Sequence, residues 1–285
     1  MSLSPALLLR RELCERGCKY AVAHQYPFVE SYGEAAIVVY DADLEQRRHG
    51  NFLDETYRAI LADDGWRRRL EKVHTHRKGL PRMEGGQRRE LDSCTSSDAL
   101  LMNVFCYPRT FSDGRVCRRL GISPDERPRF GFKARVPLAG GRSDRTEVDM
   151  LLGDLLVEAK LTESDFQQAA KVTLEGYRDF AEVFDRRALP QTRERYLAYQ
   201  LIRNVLAAQA LGMSFCVLFD ARRPDLGEQW HVVMRAVRPV DLRLRCKTLT
   251  WQELACDLPR KLRRFLAEKY GIVAADSAPE PQLVE

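Results

Sequence analysis

The stretch from Thr146 to Lys160 limits what this chain can fold into more than any other. Glu147-Val148-Asp149-Met150-Leu151-Leu152 and Leu155-Leu156-Val157-Glu158-Ala159-Lys160 are two apolar runs separated by Gly153-Asp154. A two-residue spacer with glycine first is the mark of a tight hairpin with a type II′ turn. If Leu152 pairs with Leu155, facing residue numbers sum to 307, which sets Asp149 across from Glu158 and Glu147 across from Lys160. Side chains alternate along a strand, so all four charges share one face. Facing residues have Cβ atoms about 4.5–5.5 Å apart, and two carboxylates at that range repel unless a positive group lies between them. A hard divalent cation, which takes oxygen ligands, removes that cost. The hairpin is therefore expected to carry a metal-dependent active site. The competing reading is a surface lattice of salt bridges, each worth little. Against it, Val148, Met150, Leu156 and Val157 surround these charges with apolar neighbours, where charges are rare unless paired or metal-bound.

The chain has 285 residues, 45% of them hydrophobic, enough for a packed core of one large domain or of a catalytic domain with a smaller attachment. Its net charge of +5 supports an anionic partner only if the basic residues cluster on one surface. The N-terminal run Leu7-Leu8-Leu9 lacks the basic region and small-residue cleavage site of a secretory signal. No apolar segment approaches the length of a membrane span, so no membrane partner and a cytoplasmic location are expected. Eight scattered cysteines fit unpaired thiols in a reducing compartment. Cys14, Cys18 and His24, or His74 with His76, are weak metal candidates, because no CxxC pair and no second ligand pair complete them.

Apolar spacing of three and four predicts helix from Leu7 to about Arg69, and Lys72 to Arg89 reads as an exposed basic loop. Ser96 or Ser97 is the natural cap of a buried helix running to Phe105, in which Asn103 is expected to make a structural hydrogen bond. Phe130 to Leu138 alternates as a strand and, with the hairpin, makes a three-strand meander. A helix is expected from near Phe166 and another over Gln191 to Leu211. Ser214 to Phe219 reads as a buried strand, Trp230 to Arg235 as a further strand, and Trp251 to Tyr270 as a last amphipathic helix. This order predicts an α/β fold, a mixed central sheet flanked by helices with an N-terminal helical region.

Asp149 on one strand, Glu158-Ala159-Lys160 on the next and a downstream helix bearing Gln200 resemble the PD-(D/E)XK nuclease superfamily, with Val148-Asp149 in place of the leading Pro-Asp. Ser96-Ser97-Asp98-Ala99-Leu100 and Asn103-Val104-Phe105, combined with Gln200 to Ala208, are similar to the PGN_0703-like group of bacterial restriction endonucleases. The resemblance covers roughly Phe130 to Arg235 and extends back to about residue 90, and implies a restriction-endonuclease-like core over residues 91–272; the spacing before it reads as a helical region over 1–90 and the composition after it as a disordered tail over 273–285. The resemblance also implies Mg²⁺, or Mn²⁺ in its place, held by Asp149, Glu158 and the Ala159 carbonyl. Lys160 would orient water and offset charge developing on the phosphate, and Gln200 would position Lys160, water or phosphate. Glu147 ranks below Asp149, helping a second metal or pairing with Lys160, and either Glu90 or Asp98 is a candidate for a further acidic ligand. Arg142, Arg145, Arg203 and the cluster Arg260, Lys261, Arg263 and Arg264 are candidates for contacts to a nucleic-acid backbone.

The function expected is a metal-dependent DNA endonuclease of restriction or genome-defence type. Cutting two strands usually takes two sites, which is consistent with a homodimer. The alternatives are a RecB-like or Cas4-like exonuclease or processing nuclease, disfavoured because a four-cysteine cluster pattern is not recognisable, and a nucleic-acid-binding module that kept the fold without catalysis.

Overall fold

The structure, a computed structural model, describes residues 3–30, 37–43, 45–73 and 89–275. His74, His76, most of the basic loop over 72–89 and the tail from residue 276 lie outside the described residues. The fold is mixed α/β. Five strands, β1 (Arg129–Lys133), β2 (Glu147–Leu152), β3 (Leu155–Ala159), β4 (Ser214–Phe219) and β5 (Cys246–Thr250), form a sheet in the order β5-β4-β3-β2-β1. β1, β2 and β3 are the expected antiparallel meander, while β4 runs parallel to β3 after a crossover that carries the helix Tyr199–Leu211. β3 is flanked by strands on both sides and buried throughout, which is why its sequence reads as a nearly unbroken apolar run.

Contacts divide the chain into two compact units. One comprises residues 1–9, 63–71 and 125–249, and the other 10–62, 72–124 and 250–285. Neither has a boundary at residue 90. In the first unit the sheet packs with the Tyr199–Leu211 helix, whose Leu201, Ile202, Val205 and Leu206 join Val148, Leu156, Phe215 and Val217 in one core. Burying a side chain of that size contributes about 1.5–3 kcal/mol.

Several expected elements differ for local reasons. The helix expected over Gln191 to Leu211 starts only at Tyr199, because Ala198 takes a left-handed conformation (φ 58°) and Arg195–Leu197 pairs with Gln168–Ala170. That strand pair also delays the helix expected from near Phe166, which starts only at Lys171 and ends at Glu175. Trp230 to Arg235 lies inside a helix, Pro224–Ala236: Pro224 opens its first turn, and Leu226, Trp230 and Val233 recur at helical spacing on its buried side. The strand expected to continue to Leu138 stops at Lys133, next to Arg135 at φ 51°. Pro259 splits the last helix into Trp251–Ala255 and Arg260–Tyr270. Between Leu7 and Arg69 the helix Pro5–His24 is followed by short antiparallel strand pairs before the helices Asp54–Ala62 and Asp64–Arg69.

In the second unit Ser96 caps the helix Ser97–Phe105 through the Ala99 amide. Asn103 has the structural role expected of it. It accepts from the Leu53 amide and donates to the Asn51 and Ala99 carbonyls, so a buried polar side chain is satisfied on both ends. Cys14 faces Cys94, Cys18 donates to Glu30 and His24 meets Glu268, so the three do not converge on one point.

Lys269 is 1% exposed in this unit, with Nζ 2.9 Å from the Tyr40 hydroxyl and 4.2 Å from the Tyr40 ring centre. Burial lowers its pKa from 10.5 to about 7, with Cys94 opposing the shift. A lysine with a depressed native pKa holds fewer protons folded than unfolded between those values, so stability rises with pH across that window, by up to about 1.4 kcal/mol per pH unit. Urea midpoints at pH 7 and pH 9 test this. The wild type is expected to gain stability relative to Lys269→Met, and equal pH slopes for the two proteins would contradict it.

Candidate active site

The hairpin forms in the expected register: Met150 pairs with Val157, Leu151 with Leu156 and Leu152 with Leu155. Gly153 has φ 60° while Asp154 does not enter the left-handed region, as a type II′ turn requires. Past Met150 the ladder gives way to a side-chain bond, in which the Asp149 carboxylate accepts the Ala159 amide at 2.8 Å. Glu158 is 2% exposed and holds the Lys160 ammonium at 2.7 Å through Oε1. Its other oxygen accepts from the Asn204 side-chain amide at 2.9 Å. The two carboxylates that the register sets face to face thus each have their own donors. The Lys160 amide donates to the Leu218 carbonyl, which keeps the end of β3 against β4.

Burial alone would lower the pKa of Lys160, but the carboxylates of Glu158, Glu163 and Asp149 outweigh it and hold the pKa above its ordinary value. Lys160 is therefore a permanent cation at neutral pH, suited to electrostatic work and not to proton abstraction. Glu163, which also accepts the Leu161 amide at 2.6 Å, belongs to this charged cluster and was not singled out from the sequence.

Glu147 pairs with Arg69 at 2.9 Å. Gln200 lies on the same face of its helix as Asn204, one turn earlier, and its backbone N–H donates to the Phe166 carbonyl at 3.0 Å. It is Asn204 that reaches Glu158. The signal for it in the sequence was only its i+4 relation to Gln200. Arg203, expected to face nucleic acid, is instead 1% exposed. Its guanidinium bonds Asp144, the Thr146 carbonyl and the Asn204 side-chain oxygen, so it braces Asn204 and is closed to a phosphate. Arg142 and Arg145 are exposed.

In the second unit Arg260, Lys261 and Arg264 line a groove of about 500 Å³ with Tyr107 and Arg109, and Arg263 is half-buried. Lys261 also pairs with Glu55 at 2.7 Å. Glu90 and Asp98, the candidates for a further acid, both bond Lys72 there.

Among the described residues no group of three or more His, Cys, Asp or Glu side chains is arranged to hold a metal. Two carboxylates, Asp149 and Glu158, stand at adjacent strand ends on either side of the Ala159 peptide. Together with the Ala159 carbonyl they would form an all-oxygen donor set of the kind a hard cation accepts when water completes its shell.

Replacing Asn204 by Ala leaves one oxygen of a buried carboxylate without its donor. A loss of about 1–3 kcal/mol in unfolding free energy is expected, measurable by urea denaturation, whereas Gln200→Ala at a half-buried position is expected to cost less. Equal losses would remove Asn204 from its assigned role.

No curated protein and no solved structure matches the chain. A family model described as restriction endonuclease associating with ARP matches residues 16–271. That span covers the whole sheet, the hairpin and the Asn204 helix, and the chain belongs to this family of restriction endonucleases.

Proposed function

We propose that the chain is a metal-dependent DNA endonuclease of the PD-(D/E)XK type, hydrolysing phosphodiester bonds in restriction or genome defence. The observation that carries this reading is the buried Glu158–Lys160 pair at the end of a central strand, with Asp149 on the adjoining strand bonded to the Ala159 amide. A structural salt bridge does not need a second carboxylate beside it, and a buried ion pair is by itself poor evidence of stabilisation. Asp149, Glu158 and the Ala159 carbonyl would hold Mg²⁺ or Mn²⁺. Such an ion would polarise a phosphate oxygen and lower the pKa of a bound water.

The chain's own groups supply the rest. Lys160, held as an ammonium, offsets charge that builds on the phosphate and orients the attacking water. Asn204 fixes the Glu158 carboxylate from the opposite side, and Arg203, tied to Asp144, fixes Asn204. Preorganisation of this kind lets a site stabilise charge without rearranging when the reaction occurs.

Supercoiled plasmid incubated with Mg²⁺ is expected to be nicked or linearised, EDTA to stop this, and Asp149→Ala and Lys160→Ala to lower the rate at least about a hundredfold, with circular dichroism confirming folding. Attack only on linear or single-stranded ends would replace the endonuclease reading with an exonuclease one. Cleavage unchanged in both variants would falsify the assignment of the site.

A further inference from the structure

A groove of about 510 Å³ runs between the helix Asp64–Arg69 and β1 within the sheet-bearing unit. Arg68, Arg69, Arg127 and Arg129 line it, against the carboxylates of Asp63 and Glu147. Both acids are already engaged. Asp63 accepts the Gly65 and Trp66 amides and pairs with Arg127 at 3.1 Å, and Glu147 pairs with Arg69. Four cations against two anions leave the groove with a net charge of +2. Arg68 and Arg129 are exposed, and among the described residues no carboxylate pairs with either. Trp66 stiffens one wall, its indole donating to the Pro128 carbonyl at 2.9 Å while the Arg127 guanidinium lies 5.4 Å from its ring centre.

The inner end of the groove, lined by Gly131 and Glu147, reaches the strand that carries Asp149. β1 pairs with β2 so that Phe130 faces Met150 and Phe132 faces Val148, which leaves Gly131 opposite Asp149. Gly131 has φ 65°, and a Cβ built there would fall 2.6 Å from Arg69 Nη1. A glycine at that position leaves room for the Arg69 guanidinium to lie over β1, where Glu147 anchors it. Arg69 comes from a helix 78 residues earlier in the chain than Glu147, and nothing in its local sequence separates it from its neighbours Arg67 and Arg68.

We infer that this groove seats the phosphates of the substrate strand next to the scissile one, with Arg68 and Arg129 as phosphate contacts and Arg69 as the positioning group at its inner end. The inference rests on the nuclease reading above and adds the path by which the strand reaches the site. Guanidinium groups suit it, since their planar fork matches phosphate oxygens.

The test is binding of a fluorescent 20-base-pair duplex across a range of salt, with Ca²⁺ in place of Mg²⁺ so that binding is read without cutting. Three full-length proteins are compared: wild type, Arg68→Ala/Arg129→Ala, and Arg235→Ala/Arg243→Ala. The last pair removes the same charge from exposed positions of the same unit that do not line the groove. Loss of two phosphate contacts lowers the slope of log K against log salt by about 1.8 and weakens binding about 30-fold at 150 mM salt. The groove variant is expected to show this and the control variant is not. Equal behaviour of the two variants overturns the inference, and if the wild type still cuts plasmid in Mg²⁺ the nuclease reading stands without it. A wild type that neither binds nor cuts DNA overturns both. For Arg69, Gly131→Ala, which displaces the guanidinium, and Arg69→Ala are expected to lower kcat more than they raise KM. Unchanged kcat in both takes Arg69 out of its role.

Discussion

Lys160 and Glu158 are both almost wholly withdrawn from water, and an ion pair so placed is a demand on everything around it. Removing one partner of such a pair typically costs about 3–5 kcal/mol, because the other charge is left buried without compensation. The surroundings answer that demand. Asn204 satisfies the second Glu158 oxygen, Arg203 locks Asn204, and Asp144 with the Thr146 carbonyl locks Arg203. The chain of bonds joins β3, the Tyr199–Leu211 helix and the segment entering β2, so the geometry of the pair and the packing of the core are one constraint. A polar network of this kind favours a single arrangement of its members when all of them are satisfied.

The backbone makes the same site possible by departing from regularity at a few positions. Ala198 in a left-handed conformation starts the helix at the residue that brings Asn204 under Glu158. Gly131, also left-handed, opens space on β1 for a guanidinium that a side chain would exclude. Left-handed conformations cost a non-glycine residue about 1 kcal/mol or more and persist only where the surrounding structure imposes them.

The hairpin was legible because its information is local. A glycine in a two-residue spacer and two flanking apolar runs are properties of fifteen consecutive residues, and the three pairs next to the turn fall where the sequence predicts them. The buried strand β4 was also legible as a short apolar run, whereas the edge strand β5 and the parallel direction of β4 were not anticipated, since pairing direction is set by the crossover and not by residue type. Trp230 to Arg235 failed for the converse reason. A short apolar run suits either a strand or a helix, and the decision came from Pro224, six residues upstream, and from packing against the core. The helix over Gln191 to Leu211 was overextended because backbone strain at Ala198 has no signature in residue type.

By itself the sequence determined the register of the hairpin, and hence that Asp149 and Glu158 approach each other and that Lys160 follows on the same face. Alternation along a strand leaves no other arrangement once the turn is set. Only the tertiary structure decided how those charges are compensated. Asn204 against Glu158, Glu163 acting on Lys160 and Arg69 against Glu147 join segments dozens of residues apart, or turn on side-chain rotamers, and neither is encoded in spacing. The same holds for Arg203, whose charge suggested a ligand at the surface and whose burial makes it a brace.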